Sequence, residues 1–319
     1  MNVLAIDIGG TKIACGTYAS DGKKLTHHVA AIGERSGKEV GALLITLIRK
    51  EISTLQKSGK ILGSVGISVP GIYTPESGTV WAPNISGWES YPLLNEVAAA
   101  VKLKKEHIRI EGDRACYILG EAWQGCAQGC NNAIFMAVGT GIGAGILADG
   151  RVLHGQNDIA GAIGWLALDR HYRPEYKTCG YFEYYASGEG LLRFARELLQ
   201  AKPGYKGALR TFQPSKITTP DLFAAYDQND ELAKLVLERA ISLWGMTAAN
   251  LVSLFNPEVI VFGGGVFGPA VRFISRIRDE MELWAQPISV QKVRLEPSKL
   301  GGEAGLAGAA FLAISSLTK

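Results

Sequence analysis

Two glycine-rich turns, each lying between two apolar runs, constrain the fold of this chain more than any other feature. The apolar runs and turns occupy, in chain order, residues 3–6, 7–12, 13–18, 133–138, 139–145 and 146–147. Each repeat then ends in an Asp-Gly hairpin signal followed by a basic residue, at 21–23 and at 149–151. The pattern predicts one unit used twice: strand, glycine turn, strand, Asp-Gly turn.

The glycines in these turns suit a phosphate group. Backbone N–H groups can bind phosphate oxygens only where no Cβ blocks the approach, and such turns often need a positive φ. Two such hairpins that face each other across a cleft would form a nucleotide clamp. Either turn alone could be an ordinary hairpin turn. Together with the polar groups of Asp7, Thr11 and Thr140, the pair favours nucleotide binding.

Bulk composition bounds the class of protein. A chain of 319 residues with 47% hydrophobic residues is long enough for two domains with a core each, or for one large one. The net charge of +3 argues against nucleic acid and anionic membranes as partners, and no apolar run is long enough to span a bilayer. Met1 leads almost directly into a predicted strand, so we expect no signal peptide. Five irregularly spaced cysteines favour reduced thiols and a cytoplasmic location.

Strand and helix patterns alternate along the chain, which predicts an α/β protein with two similar lobes and a cleft between them. We place the lobes at residues 1–118 and 119–319, since the second glycine-rich hairpin follows a helical stretch. The Ala-rich segment 303–317 is predicted to be helical, and we expect it to pack back on the first lobe.

Eight motifs in this order resemble the ROK family (repressor, open reading frame, kinase) across nearly the whole chain. They lie at residues 7–12, 68–71, 84–88, 111–113, 139–145, 155–164, 183–188 and 256–265. The resemblance implies the two-lobed actin-like ATPase fold, which is ribonuclease H-like, and ATP- and Mg²⁺-dependent phosphorylation of a hexose, usually at the 6-hydroxyl. It also implies a homodimer. Repressor members carry a winged helix-turn-helix before the first turn; only six residues precede Asp7 here, so a regulator is not favoured.

The resemblance assigns catalytic and phosphate-binding roles. Asp113 would be the general base that accepts the proton of the sugar hydroxyl; without the family, an N-cap of a helix that begins at Arg114 is the simpler reading. Asp7 would orient Mg²⁺ through water. Lys12 either supplies positive charge to the phosphates or is a solvated turn residue. The remaining predicted phosphate contacts are Gly9, Gly10, Thr11, Gly139, Thr140 and Gly141.

Further motifs resemble the family's adenosine and sugar contacts. Residues Gly263, Gly264 and Gly265 would let the nucleotide lie against the backbone, or they form a helix-entry turn. For the sugar, the resemblance points to Gly71, Asn84, Asp113 and Glu183. An amide such as that of Asn84 offers a donor and an acceptor to a hydroxyl. Glu183 could instead be an exposed carboxylate at a helix start, and the neighbouring Trp88 is expected to be a packing residue.

The chain departs from the family pattern at the sugar pocket and at the zinc segment. Gly112, Ala162 and Trp165 stand where many members have Asn, Glu and the zinc-ligating His, and Cys179 is the one cysteine of a shortened zinc segment. A tetrahedral zinc site needs more ligands than these, so we expect no structural zinc. His171 is nearby, but it reads as a solvated loop residue. Tyrosines crowd this segment, and their packing would hold the loop in place of the metal.

Three functions compete at this stage. The first is an ATP-dependent sugar kinase whose acceptor is less hydroxylated than glucose, or modified, with N-acetylmannosamine as one candidate. The second is a non-catalytic sugar- or nucleotide-binding sensor on the same scaffold, a pseudokinase. The third is an actin-like ATPase that acts in assembly, against which the sugar motifs at Asn84 and Glu183 argue.

Overall fold

The computed structural model describes residues 1–317, which form two compact units. The first unit comprises Met1–Gly129, His154–Ile159 and the chain from Gly302 onward, and the second comprises Cys130–Leu153 and Ala160–Gly301. The boundary that we predicted after residue 118 falls inside a helix, Asp113–Gln124. Because the hydrogen bonds of this helix run across that position, the first unit continues to Gly129.

The first unit contains seven strands and four α-helices within its described residues. The strands are β1 Asn2–Ile8, β2 Lys12–Ala19, β3 His28–Ala31, β4 Leu62–Val69, β5 Ile72–Thr74, β6 Thr79–Trp81 and β7 Ile108–Gly112. The helices are α1 Gly37–Lys57, α2 Leu93–Val101, α3 Asp113–Gln124 and, at the end of the chain, α10 Ala304–Ser315.

The second unit contains five strands and six α-helices. The strands are β8 Ala133–Val138, β9 Ile142–Ala148, β10 Arg151–Val152, β11 Val259–Gly263 and β12 Arg294–Pro297. The helices are α4 Tyr181–Ala186, α5 Gly188–Ala201, α6 Thr219–Asp227, α7 Glu231–Phe255, α8 Ile274–Glu282 and α9 Pro287–Val290. A 3₁₀ turn, Pro269–Phe273, directly precedes α8.

The same sheet occurs in both units. The strand orders are β3-β2-β1-β4-β7 and β10-β9-β8-β11-β12. In each sheet the first three strands are antiparallel hairpin neighbours, and the last two run parallel to the central one. This duplication confirms the repeated strand-turn-strand unit that the two glycine turns predicted.

Helices cover the central sheet of the first unit on both faces. Alternate strand residues face α1 and α2, where Ile6 and Ile67 belong to one apolar core. The other face packs against α10, which is rich in alanine and glycine residues that allow close approach. A Cβ on Gly66 would clash with the carbonyl oxygen of Ala309, and Ser64 Oγ donates to the carbonyl oxygen of Ala313 at 2.7 Å. The terminal helix thus belongs to the first unit.

Two further observations complete the fold. Among residues 1–317, none of the helices has the combination of length and apolar character needed to cross a bilayer. All five cysteines are free thiols.

Candidate active site

The first glycine turn is shorter than the sequence motif, residues 7–12, from which it was predicted. Strands β1 and β2 pair as far as Ile8 and Ile13, so the turn itself is only Gly9–Gly10–Thr11, and Asp7 lies within the strand. The Gly9 N–H donates to the carbonyl oxygen of Lys12 at 2.9 Å and closes the turn. Thr11 and Lys12 are exposed, so both remain available to a ligand.

Asn84 lies directly beside this turn. A Cβ built on Gly10 would be 3.1 Å from the Cβ of Asn84, which brings the predicted sugar contact and the predicted phosphate turn together. Trp88 is a packing residue, as expected: it is fully buried, donates from its indole nitrogen to the carbonyl oxygen of Gly37 at 3.0 Å, and stacks on Tyr91.

Polar residues form a row across the carboxyl ends of three parallel strands. Asp7 pairs in register with Ser68, and Ser68 pairs with Glu111, so the three side chains share one face of the sheet. Burial raises the pKa of Asp7 to about 6; the Ser68 hydroxyl opposes this shift, and the negative charge of Asp113 adds to it. A Cβ on Gly305 of α10 would come within 2.6 Å of the Asp7 carboxyl carbon, so this glycine leaves room for the carboxylate.

Asp113 is the first residue of α3, and Gly112 is its N-cap, so the helix begins one residue earlier than predicted. Its Oδ1 accepts the backbone N–H of Arg114 at 2.8 Å, and its Oδ2 accepts the hydroxyl of Tyr117 at 3.2 Å. Burial raises the pKa of Asp113, against the lowering effect of Arg114 and these hydrogen bonds. The carboxylate therefore does bind the helix terminus, yet it retains acceptor capacity for a further ligand.

Gly71 adjoins this helix start. A Cβ on Gly112 would lie 3.2 Å from the carbonyl oxygen of Gly71. Asp7, predicted to orient Mg²⁺, and Gly71, Asn84 and Asp113, predicted to contact the sugar, thus all lie in the first unit around the ends of β1, β4 and β7.

The second glycine turn is also shorter than the motif. Strand β9 begins at Ile142, so residues 143–145 are strand residues rather than turn residues, and the turn is Gly139–Thr140–Gly141. The Gly139 N–H donates to the carbonyl oxygen of Gly141 at 2.9 Å. The N–H of Gly188, at the start of α5, donates to the carbonyl oxygen of Gly139 at 2.7 Å. Thr140 is exposed at the tip.

The three consecutive glycines lie next to this second turn. Gly263 ends β11 opposite Ala137 of β8. Gly264 has φ +90°, and a Cβ there would clash with the carbonyl group of Val138, the residue before the turn. A short 3₁₀ turn, Gly265–Phe267, follows. Gly264 and Gly265 are therefore an exposed entry to this 3₁₀ turn beside the second glycine turn, whereas Gly263 is buried against the Phe135 ring.

Glu183 belongs to the same group in the second unit. It is half-buried in α4, and its Oε2 accepts the backbone N–H of Ile142 at 2.6 Å. Burial raises the pKa of Glu183, while the Ile142 hydrogen bond and Arg193 lower it. The carboxylate is thus not an exposed helix-start group; it holds the end of the second turn.

Two of the departures from the family pattern, Trp165 and Cys179, lie beside α4. Gly164 packs on Glu183, and a Cβ on Gly180 would clash with the backbone of Trp165, whose indole is more than half exposed. The Cys179 sulfur lies 3.7 Å from the Arg193 guanidinium. The crowded tyrosines pack on one another, mostly edge to face, as the sequence suggested. Their ring contacts join Tyr172, Tyr176, Tyr181, Tyr184 and Tyr185.

Sequence reasoning missed two contributors to these groups. Tyr117 could have been found from its i, i+4 spacing to Asp113 on one helix face. Ser187, which caps α5 by accepting the N–H of Gly190 at 2.9 Å, carries a helix-start signal that could have been recognised. Neither signal shows which turn the helix adjoins, because that contact joins residues far apart in the chain.

Comparison with known proteins gives matches along the full length. The sequence matches the ROK family over residues 3–316. A glucokinase of Halalkalibacterium halodurans is 30% identical over 97% of this chain and 94% of its own length.

Solved structures of ROK family proteins also match this chain along nearly its full length. The crystal structure of a ROK family glucokinase from Streptomyces griseus, in complex with glucose and AMPPNP, has a TM-score of 0.77 at 28% identity and covers 99% of this chain and 100% of its own. A ROK family transcriptional regulator, a homologue of the E. coli MLC protein, has a TM-score of 0.84 at 25% identity; the match covers 99% of this chain and 78% of the regulator. The fold is the α/β, actin-like ATPase fold, and the chain belongs to the ROK family.

Proposed function

We propose that the protein transfers the γ-phosphoryl group of ATP to a hydroxyl of a hexose or hexose derivative, the 6-hydroxyl, with Asp113 as the general base. The chain is a sugar phosphotransferase by its full-length similarity to sugar kinases. The proposal rests on the half-buried Asp113 carboxylate at the first turn of α3, which follows Gly112 beside the Gly71 carbonyl group and retains acceptor capacity.

Asp113 has the chemistry that the step requires. A carboxylate within hydrogen-bond reach of the sugar hydroxyl accepts its proton as the oxygen bonds to phosphorus and the bond to the ADP oxygen breaks. Burial raises the pKa of Asp113, which strengthens it as a base. Tyr117 fixes Oδ2 and Arg114 fixes Oδ1, so the carboxylate is held in one orientation.

The nucleotide contacts divide between two sets of residues. In the first unit these are the backbone of Gly9 and Gly10, the Thr11 hydroxyl and the Lys12 ammonium group. In the second unit they are Gly139, Thr140 and Gly141 for phosphate and Gly263, Gly264 and Gly265 for adenosine. Exposed backbone at both turns and at Gly264 and Gly265 supports these assignments, whereas Gly263 is buried.

Asp7 fits Mg²⁺ as a ligand through water. It offers an oxygen donor, and Gly305 keeps the space beside the carboxylate free of a side chain. When bound, Mg²⁺ neutralises charge on the transferring phosphates. Asp7 itself would hold the water that faces the ion, with Ser68 in register next to it.

The residues predicted to line the sugar pocket bear on which sugar accepts the phosphoryl group. Asn84 and Glu183 supply polar groups for hydroxyls, but Gly112, Ala162 and Trp165 replace three polar groups of the family pattern. A hydroxyl left without its partner in a buried site is costly, so we propose an acceptor that is less hydroxylated than glucose, or modified. We also propose that no structural zinc is bound near Cys179. We further propose that the protein is a homodimer, and light scattering would measure this oligomeric state.

A screen of ATP consumption over hexoses, N-acetylhexosamines, amino sugars and anhydro sugars tests this function. Sugar-dependent ADP release with an equal amount of sugar phosphate supports the kinase. Tight sugar or ATP binding without turnover for any sugar in the panel would favour the sensor instead.

A further inference from the structure

Three potential metal ligands that the proposed reaction does not use lie together in the first unit. Glu111 is in β7, and His154 and Asp158 lie in the segment His154–Ile159, which belongs to this unit although the sequence on either side belongs to the other. Their ligand atoms all lie within 4.8 Å of one another. His154 Nδ1 is 2.7 Å from Asp158 Oδ1 and 3.8 Å from Glu111 Oε2.

These side chains converge on one point from different supports. Glu111 is held by β7, which pairs with β4 up to the strand end. His154 and Asp158 are four residues apart, and the chain between and around them takes left-handed conformations at Gly155 and at Asp158 itself. The segment therefore presents an imidazole and a carboxylate toward a third ligand on a rigid strand.

The cluster is deficient in positive charge. Within residues 1–317, the ion pairs of both Glu111 and Asp158 involve His154, and no lysine or arginine lies within 4 Å of either carboxylate. Burial raises the pKa of Glu111, His154 opposes this shift and the negative charge of Asp158 adds to it. One imidazole cannot neutralise two carboxylates, so a cation of higher charge would be stabilised here.

We propose that Glu111, His154 and Asp158 bind a divalent cation of the Mn²⁺ type. Two oxygen donors and one imidazole nitrogen suit such an ion, and water would complete its coordination. An ion bonded to its ligand atoms at about 2.0–2.2 Å holds neighbouring ligand atoms roughly 3 Å apart. Small rotations of the three side chains would bring their ligand atoms to these distances. The site uses neither Asp7 nor Cys179, and it does not depend on the proposed kinase activity. A bound ion would fasten the segment His154–Ile159 to the strand that leads to Asp113.

Titration of the nucleotide-free protein with Mn²⁺, followed by electron paramagnetic resonance of the free ion, tests this site. We expect one Mn²⁺ per chain and a rise in Tm on binding, because a ligand of the folded state stabilises it. His154→Ala and Glu111→Gln should each weaken Mn²⁺ binding at least about tenfold. Loss of a residue that only hydrogen-bonds to a metal ligand already weakens metal binding by about that factor, and loss of a ligand should weaken it no less. His171→Ala is the matched control: it removes another imidazole paired with an aspartate, Asp169, and should bind Mn²⁺ like the wild type.

Two results would overturn the proposal. The absence of Mn²⁺ binding to the wild type would show that the cluster is an ion-pair network only. Binding that survives in folded His154→Ala but disappears in Asp7→Asn would place the ion at the nucleotide-linked carboxylate instead. Circular dichroism of each variant establishes that it is folded, and Asp158→Asn gives a second measurement should Glu111→Gln fail to fold.

Discussion

Two adjacent glycines of the second unit's predicted nucleotide site have different structural roles. Gly264 and Gly265 are neighbours in sequence, but their surroundings differ. Gly264 has a backbone conformation open essentially to glycine alone and touches the Val138 carbonyl group, whereas a Cβ on Gly265 would meet nothing within 4 Å. The first glycine is required by the fold; the second is free to serve a ligand.

This difference predicts separate effects for two alanine substitutions. Gly264→Ala should lower the free energy of unfolding by about 1–3 kcal/mol, because its strained backbone and the clash with Val138 cost about that much. Gly265→Ala should leave the free energy of unfolding unchanged and weaken ATP binding. Denaturant unfolding and calorimetry measure the two effects. Unchanged ATP affinity in Gly265→Ala would remove this glycine from the adenosine site.

At the scale of elements, a tyrosine–arginine cluster supports the segment where the family pattern has zinc ligands. We define it as Tyr176, Tyr181, Tyr184, Tyr185, Arg173, Arg193 and Arg239. Arg239 lies 3.8 Å above the Tyr185 ring and donates to the Tyr181 hydroxyl at 2.9 Å. The cluster packs around α4, whose Glu183 binds Ile142 at the second turn.

We predict that this cluster, rather than a metal, stabilises the segment. Arg239→Ala should lower the free energy of unfolding by about 2 kcal/mol, from the lost cation–π contact and hydrogen bond. Arg170→Ala, at an exposed position of the same segment, is the control and should have little effect. In protein free of Mn²⁺, a chelator should leave Tm unchanged, and elemental analysis should find less than one zinc per chain. A fall in Tm on chelation, together with one zinc per chain, would contradict this account.

Elements were predictable where the sequence signal is local. The strands beside both glycine turns follow from short apolar patterns, and they lie where the patterns indicate. The turn lengths were not predictable, because the glycines at 143 and 145 pair within β9, a contact that depends on β8. Likewise, the hydrogen bond from Ile142 to Glu183 joins residues 41 positions apart and has no local signal.

At the scale of the molecule, the duplicated sheets followed from the repeated motif, but the extent of each unit did not. The segment His154–Ile159 joins the first unit through contacts that no sequence pattern reveals. The residues of the sugar pocket were predicted from the family resemblance and not from any local pattern. The positions where this pocket departs from the family are therefore the basis of a prediction about substrate specificity.

Glucose should be a poor acceptor for the unaltered protein, with a low kcat/KM. Gly112→Asn combined with Ala162→Glu should raise activity on glucose, because each restored hydrogen bond contributes about 1–3 kcal/mol. The backbone at Gly112 (φ −61°, ψ 149°) admits any residue, although a Cβ there lies 3.2 Å from the Gly71 carbonyl oxygen. Steady-state kinetics on glucose check this. A wild-type kcat/KM of about 10⁴ M⁻¹s⁻¹ or more would show that the replacements are neutral.

The central claim is that Asp113 is the general base of a sugar kinase, and the turnover of Asp113→Asn tests it most directly. The asparagine can still accept the Arg114 N–H, so we expect a folded protein with nearly unchanged ATP affinity. Asp149→Asn is the control, because this exposed turn residue has φ +49°, which asparagine tolerates. With the best acceptor of the sugar panel, kcat of Asp113→Asn should fall on the order of 10²–10⁴-fold while Asp149→Asn turns over like the wild type. Full activity of purified Asp113→Asn would contradict the account.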